Sequence, residues 1–519
     1  MKKLLCMILA LGLLAGCTAA PAQTTAPAET IPAVSVDSIA IRLSDEGVEF
    51  PADSGVYTAN DIIYYEEGHD ESYGEGEPGD AHSAEEAAAH TVVHITKPGT
   101  YTVSGKLSLG QIAVDLGEEA ENDPNAVVTL ILDGLDITCR VAPAIIFYNV
   151  YECGDTENPT ADVDTSDAGA NVILAPGSTN RVVGSHVAKI YKPGTEKKLH
   201  KYDAAFYSKM SMNVGGEGIL RIEADNEGLC SEMHLTINGG EISIESGNDG
   251  INANADGESV VTVNGGNLTI QVTGGTGEGD GIDSNGSIVI NGGTVQSYAC
   301  ATSGDSGIDA DLGIQINGGT VLATGNMLDR IAGGQTYAAF QFAQPQGAGV
   351  YTLKNADGET VLELAALNEF QYLLLSDPAL TEGTYTLWSG DTQFMGAPAL
   401  GGFVGGFQPI ERPEWPGRDD GDVEIPPQPT VEYEIQGGQP PARPEDMPLG
   451  QPPEGSDPSN MPAGPMPEGS AEMPLPEMPG GVRPPQDGYQ GVLIPSVALT
   501  TDFAIVQGAN YFYNVQAVK

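Results

Sequence analysis

The chain has 519 residues, of which 40% are hydrophobic and only 18% charged, yet 72 acidic residues against 21 basic ones leave a net charge of −51. A field of that sign repels nucleic acid, which is excluded as a partner, and it favours cations, divalent ones above all. The 68 glycines and 36 prolines follow no collagen period, so they point to turns, repeats and low-complexity stretches.

The chain opens with Lys2 and Lys3, then an apolar run over residues 4–14 that is too short to span a bilayer and suits the core of an export signal. The run ends Leu14-Ala15-Gly16-Cys17, the pattern of a bacterial lipobox. It predicts that residues 1–17 are a lipoprotein signal peptide and that Cys17 becomes the acylated lipid anchor. The protein is then extracytoplasmic, held at the cell surface by several acyl chains in the cell membrane. An ordinary signal peptide that happens to contain cysteine is the alternative. Cys139, Cys153, Cys230 and Cys300 fit no zinc spacing. They leave room for one disulfide, with Cys139 and Cys153 the nearest pair, or for buried thiols.

Residues 18–90 read as a tether and acidic segment. Its first part is rich in Ala, Thr and Pro, and its acidic part, from residue 44, is expected to be loosely ordered. Short alternating strands follow at Val92-Val93-His94-Ile95, Tyr101-Thr102-Val103 and Ile112-Ala113-Val114. A longer run, Val127 to Leu132, is followed by a turn at Asp133-Gly134 and more extended chain at Leu135-Asp136-Ile137. Almost no helical periodicity is present.

Asn-Gly-Gly then recurs at 238–240, 264–266, 291–293 and 317–319, spaced by 26, 27 and 26 residues, with a looser copy at Asn213-Val214-Gly215-Gly216. An alternating strand precedes and follows each copy, as in Leu235-Thr236-Ile237 and Ile242-Ser243-Ile244. Apolar positions fall on common columns, which a stack needs because one repeat cannot bury its own inner face. Glycine pairs supply tight corners, and stacked asparagines can hydrogen-bond along their column. The expected fold is all-β: a right-handed parallel β-helix of three short strands per turn over residues 91–330. A propeller blade would need a longer repeat.

Residues 331–404 read as a β-rich cap. Residues 405–488 are a Pro/Gly/Met-rich insertion of disordered composition, and residues 489–519 return as cap strands.

A second motif runs beside the asparagines: Asn248-Asp249-Gly250-Ile251-Asn252, Gly279-Asp280-Gly281-Ile282-Asp283 and Asp305-Ser306-Gly307-Ile308-Asp309, preceded by a degenerate copy, Glu227-Gly228-Leu229-Cys230. Aligned on Gly-Ile, Asn252, Asp283 and Asp309 share one column and Asp249 and Asp280 another, with Asp305 one place earlier and Asp311 two residues past Asp309. Carboxylates stacked about 4.8 Å apart repel by roughly 1–4 kcal/mol per pair. Ca²⁺ takes six to eight hard oxygen ligands and offsets that repulsion. The expected calcium ligands are therefore Asp249, Asn252, Asp280, Asp283, Asp305, Asp309 and Asp311. Plain Asp-Gly turn chemistry is the alternative.

Thr96-Lys97-Pro98-Gly99-Thr100-Tyr101-Thr102-Val103-Ser104-Gly105, Val128-Thr129-Leu130-Ile131-Leu132-Asp133-Gly134 and Asp203-Ala204-Ala205-Phe206-Tyr207-Ser208-Lys209, taken with the two columns, resemble a family of bacterial carbohydrate-binding β-helix proteins of clostridia and relatives. These are similar in fold to calcium-dependent pectate lyases. The resemblance implies bound calcium and a polysaccharide partner, cellulose or the acidic pectic sugars of plant cell walls. A lyase would need a base such as Lys or Arg. From residue 210 to 353 there is no lysine, and arginine occurs only at Arg221 and Arg330. Lys209 and Arg221 read as solvated, and the expected role is non-catalytic binding. A calcium-dependent lyase on the same scaffold and a structural adhesin are the alternatives. Tyr298 is the only aromatic from 208 to 336, so a neutral-sugar platform would have to use Tyr148, Tyr151, Tyr191 or Tyr202.

Overall fold

A computed structural model describes residues 38–62, 84–154, 160–185, 190–191, 198–200, 202–399 and 498–518. Cys17, the tether before residue 38 and the proline-rich insertion lie outside them. The described chain is all-β, with one five-residue α-helix, Ala84–Ala88, and one short 3-10 turn, Glu118–Asn122.

Each repeat contributes three strands, and each strand pairs in parallel with its counterpart one repeat on. The first ladder runs through Met212–Gly216, Leu235–Ile237, Val260–Val263, Ser287–Ile290 and Gly313–Ile316. The second runs through Ile219–Ala224, Glu241–Ser246, Asn267–Val272, Thr294–Tyr298 and Thr320–Gly325. The third runs through Ala204–Ser208, Glu227–Ser231, Ile251–Ala253, Ile282–Ser284 and Ile308–Ala310. Strands of adjacent repeats thereby satisfy one another's backbone groups. The apolar columns meet inside: Leu229, Ile251 and Ile282 in one, Leu235, Val261, Ile288 and Ile314 in another, all fully buried. Each such side chain contributes about 1.5–3 kcal/mol.

The glycine corners behave as the sequence predicts. Gly240, Gly266, Gly293 and Gly319 all have positive φ, between 79° and 98°. A Cβ on Gly293 would stand 2.6 Å from the carbonyl oxygen of Gly266, so no other residue fits this corner. The asparagines form the expected ladder. Nδ2 of Asn264, Asn291 and Asn317 each donates to Oδ1 of the asparagine one repeat earlier, at 2.9 Å every time. The looser copy does not join: Asn213 stands opposite Thr236, and its amide donates to Asn171 and Thr165.

Three expectations need correction. Residues 133–134 do not end a strand, since Val128–Thr138 is continuous. Gly134 bends it at φ +80°, and the Gly134 and Leu135 amides donate to Asn180 Oδ1. The acidic segment contains order: Val56–Ala59 lies antiparallel to Thr91–Ile95, and just before it Ile39–Leu43 lies parallel to Gly99–Leu107. Ile41 and Leu43 are buried there, which offsets the cost of ordering polar chain. Parallel pairing also runs past residue 330, since Ile331–Gly334 still pairs with Gly313–Ile316. Of the two readings left open for the cysteines, the second holds: all four described cysteines are thiols, and no disulfide forms among them.

Beyond this point most pairing is antiparallel, although Ala509–Ala517 runs parallel to Tyr337–Gln346. Phe370–Ser376 caps Thr320–Gly325, and Ala509–Ala517 returns between Tyr337–Gln346 and Thr392–Pro398. A separate aromatic core, including Phe340, Phe342, Phe370, Phe503 and Phe512, fills this part.

Candidate metal centre

The acidic columns lie on the third ladder. Tyr207, Cys230, Asn252, Asp283 and Asp309 stand opposite one another in register. Alternation sends their neighbours Leu229, Ile251, Ile282 and Ile308 into the core, so this column faces the other way. Most of it is nonetheless shielded from water: Cys230 is fully buried, Asn252 and Asp309 are each only 7% exposed, and Asp283 is half-buried.

Of the seven expected ligands, the structure brings three together. Asp280, Asp283 and Asp309 each place a carboxylate oxygen within 4.8 Å of the others. Donors at 2.3–2.6 Å from one Ca²⁺ lie at most about 5 Å apart, so this trio fits a single hard cation. Asp280 Oδ1 also accepts from the Ser306 amide at 2.6 Å, which fixes its position.

The other four do different work. Asp249 accepts from the Asp280 amide (2.7 Å) through one oxygen and from the Asn252 amide (3.1 Å) through the other. Asn252 also donates to Glu227 Oε1 at 2.8 Å, one repeat back. Asp305 accepts from the Gly279 amide at 2.6 Å and from the Ser303 hydroxyl. Asp311 is exposed, at the rim. Asp249, Asn252 and Asp305 thus brace the backbone and one another rather than converge with the trio.

Electrostatics set the trio's character. Burial pushes Asp280 well above the usual carboxylate range, and Asp249, Asp283, Asp309 and Asp305 push it further. Burial likewise raises Asp249, with Asp283 and Glu227 adding. A group of carboxylates that resists ionisation is one that a divalent cation would stabilise in its charged form.

Three further acidic residues were not among the expected ligands. Asp329 sits beyond the last repeat, yet its Oδ2 accepts from the Ala310 amide at 2.9 Å and its side chain bonds Asp309. Glu227 occupies the Asp249 column in the degenerate copy, a signal the sequence did offer. Asp203, before the third ladder's first repeat strand, lies near Glu227 and Cys230.

Among the residues discussed as bases or platforms, Arg221 lies on the second ladder, away from the acidic columns. Lys209 follows the third ladder's strand, and its Nζ lies 5.2 Å from the ring centre of Tyr148. Tyr202 is buried against Tyr148 and Tyr207, so it offers no face to a sugar, whereas Tyr148 and Tyr151 are half-buried. The side chain of Tyr191 lies outside those described.

Residues 89–329 match a family model described as carbohydrate-binding domain-containing protein. A curated protein of that same description from Acetivibrio thermocellus is 31% identical over 156 residues, 30% of this chain. The aligned stretch covers 45% of that relative, so the chain spans less than half of its length. A solved structure, the gadolinium derivative of a polysaccharide lyase-like protein from C. thermocellum, aligns over 55% of this chain and 94% of its own. Its identity is 22% and its TM-score 0.34, a likeness that carries no argument.

Proposed function

We propose that this protein is a surface lipoprotein that binds polysaccharide through a calcium-loaded, right-handed parallel β-helix. The observation that carries the reading is the convergence of Asp280, Asp283 and Asp309 from adjacent repeats. These three carboxylates would hold Ca²⁺, with Asp249 and Asp305 bracing the loops that present them. Bound calcium supplies a positive charge through which an acidic sugar carboxylate and an anionic protein can be joined. Supporting the polysaccharide partner is the match of residues 89–329 to a carbohydrate-binding family. Supporting the β-helix are three parallel ladders that advance one repeat at a time. The lipid anchor rests on Leu14-Ala15-Gly16-Cys17 alone.

A glycan array probed in calcium and again in EDTA tests the reading. Calcium-dependent capture on polygalacturonate or another acidic glycan is the expected result. Absence of calcium-dependent binding to every glycan sinks it. Release of unsaturated sugar from polygalacturonate, lost in Asp283→Ala, would favour a lyase instead.

A further inference from the structure

We propose that a second, thiophilic metal site lies on the same ladder, built by Asp203, Glu227, Cys230 and Asn252, and that it takes a borderline-soft ion such as Zn²⁺ rather than Ca²⁺. The proposal goes beyond the calcium reading and does not depend on it.

Asp203, Glu227 and Cys230 are all buried, and each places one donor atom within 4.8 Å of the other two. They come from two adjoining repeats: Ala204–Ser208 begins one residue after Asp203, and Glu227–Ser231 carries the other two. The independent observation is Asn252. It stands opposite Cys230 in the ladder, and its amide nitrogen donates to Glu227 Oε1 at 2.8 Å, which ties it to the cluster. Its side-chain oxygen is buried and has no hydrogen-bond partner, in a residue only 7% exposed. A buried, unmet acceptor has given up water without a replacement and is destabilising. An ion held by its neighbours would satisfy it.

The donor set decides which ion. The trio at Asp280, Asp283 and Asp309 offers oxygen alone and is partly open, as a calcium site with water ligands requires. The second cluster offers one sulfur, two carboxylates and one amide oxygen. Four donors of that mixture suit a closed tetrahedral site, and thiolate sulfur selects zinc over calcium or magnesium. The Cys230 sulfur already accepts a hydrogen bond from Asn254 Nδ2 at 3.3 Å, a contact that orients a thiolate. Asn254 and Tyr207 also bond Glu232 beside it, so the sulfur sits in a braced polar shell. Sequence spacing could not reveal this site, because its ligands are 24, 3 and 22 residues apart in a pattern the repeat itself creates.

The test is a titration of the metal-stripped full chain with Co²⁺, a coloured stand-in, followed by displacement with Zn²⁺. The expected result is a near-ultraviolet thiolate-to-cobalt band that zinc abolishes. Cys230→Ser should lose the band, whereas Cys153→Ser and Asp283→Ala should keep it. Glu227→Gln should keep the fold and weaken zinc binding by more than the roughly 10–100-fold typical of residues outside the ligand set. No band in the native chain, or a band that survives Cys230→Ser, overturns the proposal. Should Cys230→Ser fail to fold, Glu227→Gln decides alone, and unchanged zinc affinity there overturns it. Because Asp283→Ala destroys only the calcium trio, loss of either site is distinguishable from loss of the other.

Discussion

The same repeats stack two polar columns, and the columns solve the problem of self-contact in opposite ways. Asn238, Asn264, Asn291 and Asn317 form an unbroken amide chain at 2.9 Å. An amide carries both donor and acceptor, so identical residues complete one another and the column can stand in water. Asp283 and Asp309, also in register, carry acceptors only. Ionised carboxylates cannot complete one another, and this column is partly shielded from solvent besides. The neighbouring Asp249, Asp280 and Asp305 take up backbone amides, and where Asp280 meets Asp283 and Asp309 the carboxylates call for a cation. Stacking is therefore neutral for one residue type and an instruction to bind for the other.

The largest expected effect comes from removing calcium. An ion present at about 100 times its Kd stabilises by about 2.7 kcal/mol, or about 5–10 °C in a domain of this size. EDTA should lower the melting temperature at neutral pH by that order, and calcium should restore it.

The pH dependence follows from the same carboxylates. Asp249 and Asp280 are raised above 3.8 in the folded protein, so the fold holds protons that the unfolded chain has released. Their contribution in EDTA is fully present below 3.8 and is lost as pH rises through the raised values. Melting temperature in EDTA should fall from acid toward neutral pH, calcium should flatten the curve, and Asp280→Asn should flatten it without calcium.

Converting one column toward the other gives the next effect. Asp283→Asn should abolish the calcium-dependent rise in melting temperature, yet stabilise the metal-free protein by about 1–2 kcal/mol through relieved repulsion. Urea denaturation in EDTA measures it, and a less stable variant would break the comparison. The smallest effect belongs to the amide column. Asn264→Ala breaks two exposed hydrogen bonds and should cost about 1 kcal/mol, with no change on adding EDTA.

Both columns were legible in the sequence because they repeat at fixed distance from Gly-Gly and Gly-Ile. The three-strand repeat was legible for the same reason. What periodicity could not show was division of labour within the acidic set. Asp249 and Asp283 look equivalent as letters, but Asp249 spends both oxygens on amides while Asp283 converges with its neighbours. Asp329 was hidden because it follows the last repeat, and Asp203 because it precedes the first full one. Ile39–Leu43 was missed since five alternating residues beside an acidic segment carry little signal until a partner strand buries them.

Calorimetric titration of the metal-stripped full chain with Ca²⁺, alongside Asp283→Asn, tests most directly whether the carboxylate column is a cation site. Saturable calcium binding by the native chain, absent from Asp283→Asn, is the predicted result. No calcium binding by the native chain, or equal binding by the variant, would mean that the aspartates serve only as turns.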